Sequence, residues 1–324
     1  DFSFRYTEEQ QRFRGEVRTW LEENIPEELK EPADPRDFTE KMYWSWREKH
    51  KELAAKGWLY PTYPKEYGGG GLTGEHEAII EEKFNRAGVV GSFSNRRPLE
   101  PLTVWATEAQ KQKFLKPLLT AEKVTWQKTT EPHSGADLAD YQSTAVRDGD
   151  DWILNGSSVF IGGNEDAEMM CGPMLTDPDA PRHRNLGYFV INIPSDGLQI
   201  KEMDLLHAGA RKRAIFLDNV RVPGDHLIGG DHQGWQVIST QMEQEHAGNA
   251  TATFRDTLVD NLVDFARDTT RNGESLGKDP VVAQTAMQAV LESHVDGLFN
   301  KRVYWMAQNR LEVAYEGNVH SVHN

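Results

Sequence analysis

The stretch Thr129-Thr130-Glu131-Pro132-His133-Ser134-Gly135-Ala136-Asp137 gathers hydroxyl and small side chains, a proline, a glycine and two acids into nine residues. Such a loop offers short donors and unshielded backbone N–H groups, a surface against which a ligand can lie. Asn155-Gly156 follows eighteen residues after Asp137, between the strand-like residues Trp152, Ile153, Leu154 and Val159, Phe160, Ile161. Two further clusters carry ionisable chemistry. In Gln241-Met242-Glu243-Gln244-Glu245-His246, residue type alone reads the two acids as a solvated helix face and His246 as a core histidine. Arg211-Lys212-Arg213 reads as a solvated loop or as a seat for phosphates. His320 and His323 have no partners at metal-ligand spacing, so no metal site is expected.

The bulk properties limit the possible functions. The 324 residues suffice for one large or two to three ordinary domains. A net charge of -15, from 36 basic and 51 acidic residues, argues against broad nucleic-acid or anionic-membrane binding. Mean hydropathy of -0.66 describes a globular chain with a strongly charged surface. No apolar run approaches the roughly 20 residues that span a bilayer. The first residues, Asp1 to Arg5, lack a signal-peptide layout, and an intracellular, reducing compartment is expected. Cys171 is the sole cysteine, which excludes an intrachain disulfide; after Met169-Met170 it reads as a buried thiol.

The pattern of elements changes twice along the chain. Thr7 with Gln10, and Thr107 with Gln110, form capping boxes that open helices. Phe13, Val17, Trp20 and Leu21 share one helical face, ended at Asn24-Ile25-Pro26. A second helix is expected over about 37–56, and a third from Thr73. The four glycines Gly68 to Gly71 between them read as a flexible connector. After Asp137 short β-type runs are expected at 141–146, 152–154, 159–161, 188–193, 198–203 and 214–217, separated by turns such as Arg147-Asp148-Gly149-Asp150. From Gly234-Trp235 helical periodicity returns to about Arg271; Asn272-Gly273 breaks it and Pro280 opens another helix.

Four strings resemble the acyl-CoA dehydrogenase family. Its flavin loop reads TEPxAGSD and its next hairpin INGxKxW, similar to Thr130–Asp137 and to Leu154-Asn155-Gly156 onward. Its strings PxEYGGxGL and FxDVxVP resemble Pro64–Leu72 and Leu217–Pro223. The resemblance covers essentially the whole chain and implies an α+β fold. An N-terminal helical domain (1–126) and a middle β-barrel or sandwich domain with the flavin loop (127–232) precede a C-terminal helical bundle (233–324). The family continues for several more helices, so a truncated bundle is expected, and a gap near His207-Ala208-Gly209.

Carried over residue by residue, the resemblance implies an FAD site. Thr130 falls on the threonine that contacts the flavin ring, and Glu131, Pro132, Gly135 and Asp137 match. Gln127, Thr129 and Ala136 hold flavin-contact positions with altered side chains; Ala136, in place of serine, lies near cofactor phosphate or substrate pantetheine. Phe160 replaces the tryptophan that covers the flavin, and Gly162 a threonine or serine near its N5 edge, where a backbone N–H can serve. Gln284 aligns with a glutamine that reaches the cofactor from a neighbouring subunit. The arginine that meets the pyrophosphate is Gly273 here, with Arg271 two residues away. Glu245 falls on one of the family's two positions for the catalytic base, and burial beside the flavin would raise its pKa toward the working pH. Glu243 and His246 flank it as substrate contacts. Tyr315-Glu316-Gly317-Asn318 looks like the other base motif, but the glycine-rich stretch and helices that precede it in the family are missing, so Glu316 is set aside.

The activity so implied is α,β-dehydrogenation of an acyl-CoA. Glu245 takes the α-proton, flavin N5 accepts the hydride, and electrons pass to an electron-transferring flavoprotein. A dimer or tetramer, in the cytoplasm or mitochondrial matrix, is expected. Two alternatives stay open: a non-catalytic or half-site subunit of a hetero-oligomer, and a flavin monooxygenase or oxidase on the same fold.

Overall fold

A computed structural model describes residues 6–32, 37–163, 165–206, 211–247, 257–308 and 311. Its contacts divide the chain into two units, residues 19–77 with 87–244, and residues 1–18, 78–86 and 245–324. Glu316, His320 and His323, and the gap expected near residues 207–209, lie outside the described residues.

The helices begin where the capping signals stand. Thr7 and Gln10 exchange hydrogen bonds of 2.8 and 3.2 Å before α1 (Glu8–Asn24). Thr39 caps α2 (Glu40–Ala55), which buries Tyr43, Trp46, His50 and Leu53 on one face. α3 (Gly74–Ala87) and α4 (Arg96–Trp105) follow. The second capping box, Thr107 with Gln110, opens α5 (Glu108–Gln110), which runs through a π turn into α6 (Lys116–Leu119).

The four glycines are a packed turn, not a flexible connector. Gly70 and Gly71 donate to the Tyr60 and Tyr63 carbonyls at 2.9 and 2.8 Å, and Leu72 to that of Pro61 at 2.7 Å. A Cβ on Gly70 would stand 2.2 Å from the Gly57 carbonyl oxygen and 2.7 Å from that of Pro61. Both obstacles are backbone, so Gly70→Ala is expected to destabilise the protein by roughly 1–3 kcal/mol. Gly15, on α1 with nothing within 4 Å of a Cβ, is the contrast. There Gly15→Ala is expected to stabilise by about 0.5–1 kcal/mol. Denaturant titration of both variants checks the pair; equal effects would count against the packed turn.

The larger unit holds an eight-stranded sheet in the order β6-β7-β3-β2-β4-β5-β8, with β1 paired to β4. β2 (Thr144–Asp148) and β3 (Asp151–Ile161) form the hairpin expected around Gly149. Contrary to the two short runs expected, β3 passes unbroken through Asn155-Gly156, with an irregularity between Leu154 and Gly156. Gly156 sits at φ +144, where a Cβ would be 2.7 Å from Ser143 Cα. Glycine therefore lets β3 pass close to its neighbour instead of turning it.

β4 (Met169–Leu175) has no counterpart among the expected runs, because it is buried almost throughout and shows no alternation. It pairs with β1 (Thr125–Gln127) in parallel and with β5 (Leu186–Asn192) in antiparallel. Cys171 on it is 1 % exposed, and burial pushes its thiol up to about 12. β6 (Leu198–Met203) and β3 flank β7 (Lys212–Pro223), and the two-residue β8 (Leu227–Ile228) precedes α7 (Gly234–Ala247).

In the other unit α8 (Thr257–Asp268) stops three residues short of Arg271. Residues 270–275 instead make a tight hairpin, β9 (Thr270–Arg271) and β10 (Glu274–Ser275), with Asn272 and Gly273 at φ +53 and +84. An Asn-Gly pair supplies that left-handed turn at little cost. Pro280 opens α9 (Pro280–Gln308), where Asp279 accepts from the Val281 N–H at 2.9 Å. Among the described residues no helix is long and apolar enough to cross a membrane, and no three His, Cys, Asp or Glu side chains are grouped to hold a metal ion.

Candidate functional site

The loop after β1 is shaped by one buried carboxylate. Glu131 is 4 % exposed and accepts from the backbone N–H groups of Gln142 and Ser143 at 2.8 and 3.0 Å. Its own backbone exchanges bonds of 3.0 and 3.2 Å with Ser134, which closes Pro132-His133 into a two-residue turn. Ser134 Oγ donates to the Asp137 carbonyl at 2.5 Å, and Asp137 pairs with Arg182. Glu131 thus staples the loop to the start of β2, and the next residues face outward. Gly135, Ala136 and Asp137 are exposed.

The two sequence motifs meet. Val159 N–H donates to the Thr130 carbonyl at 3.0 Å, which fixes the loop against the end of β3. Phe160 follows at φ +60 and 51 % exposed, and Gly162 at φ +77. A Cβ on Gly162 would stand 2.9 Å from Arg213 Nη1 and 3.0 Å from the Trp126 ring. Gln127, Thr129, Thr130, Gly135 and Ala136 therefore lie on one short segment, tied at Thr130 to the hairpin end that carries Phe160 and Gly162.

The remaining expected residues lie elsewhere in the chain. Glu243 is exposed on α7. Glu245 and His246 belong to the same helix, and their side chains lie outside the described residues. Gln284 is exposed on α9, and Arg271 on β9.

The donor set suits a flavin. Thr129 and Thr130 are half-buried, and among the described residues neither hydroxyl has a hydrogen-bond partner. A Cβ on Gly135 would meet only the Thr130 methyl, at 3.9 Å, so the space over that backbone is open. Free hydroxyls, an open glycine and an exposed aromatic face are what a flat, polar-edged ring system needs. Gly273, by contrast, carries no side chain, and at φ +84 its backbone disfavours one.

Sequence reasoning missed the cations beside this site. Arg213, expected in a solvated loop, is 2 % exposed, because β7 alternates and residues 213, 215 and 217 point inward together. It lies 4.4 Å over the Trp126 ring and donates to the Gly163 carbonyl at 2.9 Å and to Asp166 at 3.0 Å. Arg211 is half-exposed and paired with Glu202, as a solvated reading requires. Ile215 and Leu217 share Arg213's parity, a signal available in the sequence. Lys128 left no such signal. It is fully buried within the sheet unit, 5.4 Å over the Tyr141 ring, and its Nζ donates to the Pro173 carbonyl at 3.5 Å. Burial pushes its pKa down to about 8, against the opposing charge of Glu131.

Comparison with known proteins agrees with this geometry. Residues 7–122 match the family profile described as acyl-CoA dehydrogenase, N-terminal domain, and residues 127–220 that described as acyl-CoA dehydrogenase, middle domain. The chain is 32 % identical over 241 residues to acyl-CoA dehydrogenase FadE29 of Mycobacterium tuberculosis, an alignment covering 74 % of this chain and 61 % of that protein. It is 27 % identical over 240 residues to the human mitochondrial short-chain specific acyl-CoA dehydrogenase, covering 72 % and 58 %. The chain thus spans less than two thirds of either relative. Among solved structures, Tcur3481-Tcur3483 steroid ACAD superposes with a TM-score of 0.81 at 25 % identity, over 99 % of this chain and 82 % of that one. The glutaryl-coenzyme A dehydrogenase glutaryl-CoA complex shares the fold, with a TM-score of 0.80 at 22 % identity over 99 % and 82 %. With both family profiles matched over most of its length and its loop and hairpin clamped together, the chain belongs to the acyl-CoA dehydrogenase family.

Proposed function

We propose that this chain binds FAD and catalyses α,β-dehydrogenation of an acyl-CoA thioester. The observation that carries the reading is the 3.0 Å bond from Val159 N–H to the Thr130 carbonyl, which joins the two motifs into one seat. FAD, when bound, supplies the hydride acceptor that no side chain can provide. Thr129 and Thr130 would offer hydroxyls to the ring system, Phe160 would give it an aromatic face, and the Gly162 backbone N–H would serve it as a donor. Gln127, Gly135 and Ala136 line the same seat, and Gln284 reaches the cofactor of a neighbouring subunit. Glu245 removes the α-proton, with Glu243 and His246 contacting the substrate. Reducing equivalents are collected by an electron-transferring flavoprotein.

A second reading, a half-site subunit of a hetero-oligomer, is favoured by Gly273. The family arginine that would meet the pyrophosphate is absent there, and the tight turn disfavours any side chain. Structures described as Tcur3481-Tcur3483 steroid ACAD and as the ChsE4-ChsE5 complex from Mycobacterium tuberculosis each name two proteins.

Purification of the chain alone and with a second dehydrogenase chain decides between the readings. Flavin absorbance in the lone chain that bleaches anaerobically with an acyl-CoA is the result expected for the first. A lone chain that stays colourless with added FAD, and turns yellow only with its partner, would leave the second standing.

A further inference from the structure

Two cations at the end of β3 differ in how their charge is met. Arg213 donates to Asp166 at 3.0 Å, so a carboxylate answers it. Glu165 lies against Gly163, its Oε2 2.6 Å from where a Cβ there would stand, and Glu202 pairs with Arg211. Lys212 is half-buried and donates from Nζ to the Gly162 carbonyl oxygen at 2.5 Å. Among the described residues no carboxylate lies within ion-pair distance of Lys212. Among the described residues its charge is therefore the unanswered one, and it sits on the backbone of Gly162, the residue that the family resemblance places at the flavin N5 edge.

No side chain fits at residue 162 to supply a hydroxyl there. Gly162 is at φ +77, and Arg213 and Trp126 fill the volume a Cβ would enter. Whatever this edge contributes must come from the backbone or from a neighbour. We infer that Lys212 is a positioning and electrostatic residue of the cofactor site, whose ammonium, held on the Gly162 carbonyl, favours the reduced over the oxidised cofactor. The inference rests on the FAD reading above. Hydride uptake brings two electrons and one proton, hence one net negative charge, to the site. A cation held nearby in a partly desolvated position attracts that charge more strongly than it would in water.

The test compares the FAD-loaded wild type with Lys212→Met, Lys212→Gln and Lys212→Arg. FAD dissociation is measured from oxidised and from dithionite-reduced protein, and the midpoint potential against a reference dye. Loss of the charge is expected to weaken the reduced form about tenfold relative to the oxidised form, a fall of about 30 mV for a two-electron couple. Lys212→Arg should hold the wild-type potential. An equal loss of affinity in both oxidation states, or an unchanged potential in Lys212→Met and Lys212→Gln, would overturn the inference while leaving the functional reading intact. A wild-type chain that takes up no FAD, alone or with a partner, would overturn both.

Discussion

Replacing Glu245 with glutamine should leave FAD bound at wild-type affinity and slow anaerobic bleaching by acyl-CoA about 10²–10⁴-fold, the usual contribution of a positioned base. Glutamine keeps the size and hydrogen-bonding shape of the side chain and removes only its capacity to take a proton. A drop in bleaching with intact flavin absorbance is therefore the signature of the base itself. Glu316→Gln is the control, expected to bleach at the wild-type rate, since the elements that precede the family's second base motif are absent from this sequence. Stopped-flow absorbance on both variants settles the assignment. Wild-type bleaching in Glu245→Gln with a slow Glu316→Gln would reverse it.

Lys128→Met should make the protein more stable at neutral pH, by at most roughly 3 kcal/mol. A lysine in the unfolded chain keeps its ordinary value of 10.5, whereas burial holds Lys128 at about 8. Below about pH 8 the folded state must carry the ammonium at its own expense, and the cost is full there. Between about 8 and 10.5 the unfolded chain binds more proton than the folded one, so stability contributed by this site rises with pH. The gap corresponds to roughly 3 kcal/mol, lessened by loss of the Tyr141 face and the Pro173 carbonyl contact. The wild type and variant should therefore differ most at pH 7 and converge toward pH 10.5. Urea unfolding at a series of pH values measures the difference and cancels the other titrating groups. A wild type more stable at pH 7, or a difference flat with pH, would show that the buried amine is compensated in the fold.

Glu131 illustrates how far a motif carries. As one matched letter among several, it marks the family; only the fold shows its carboxylate bonded to the N–H groups of Gln142 and Ser143, holding the loop open. Arg213 shows the reverse case. Its inward direction follows from strand alternation with Ile215 and Leu217, but a run of three basic residues hides it. β4 escaped because a strand buried on both faces has no period to detect.

What the residues determine by themselves is local. The capping boxes at Thr7 and Thr107, the Gly149 hairpin and the Pro280 helix start need only neighbours a few positions away, and each stands as read. The order of helices, strands and helices follows from the same short-range patterns. Contacts between distant segments decided the rest. Four glycines became a packed turn because Gly57 and Pro61 approach them; β3 stayed unbroken because Ser143 needs the space at Gly156. Gly162 cannot carry a side chain because Arg213, fifty-one residues away, occupies the place a Cβ would take. Backbone bonding and periodicity act over one or two turns of chain, whereas burial of Lys128 and crowding at Gly162 depend on which strands the sheet brings together.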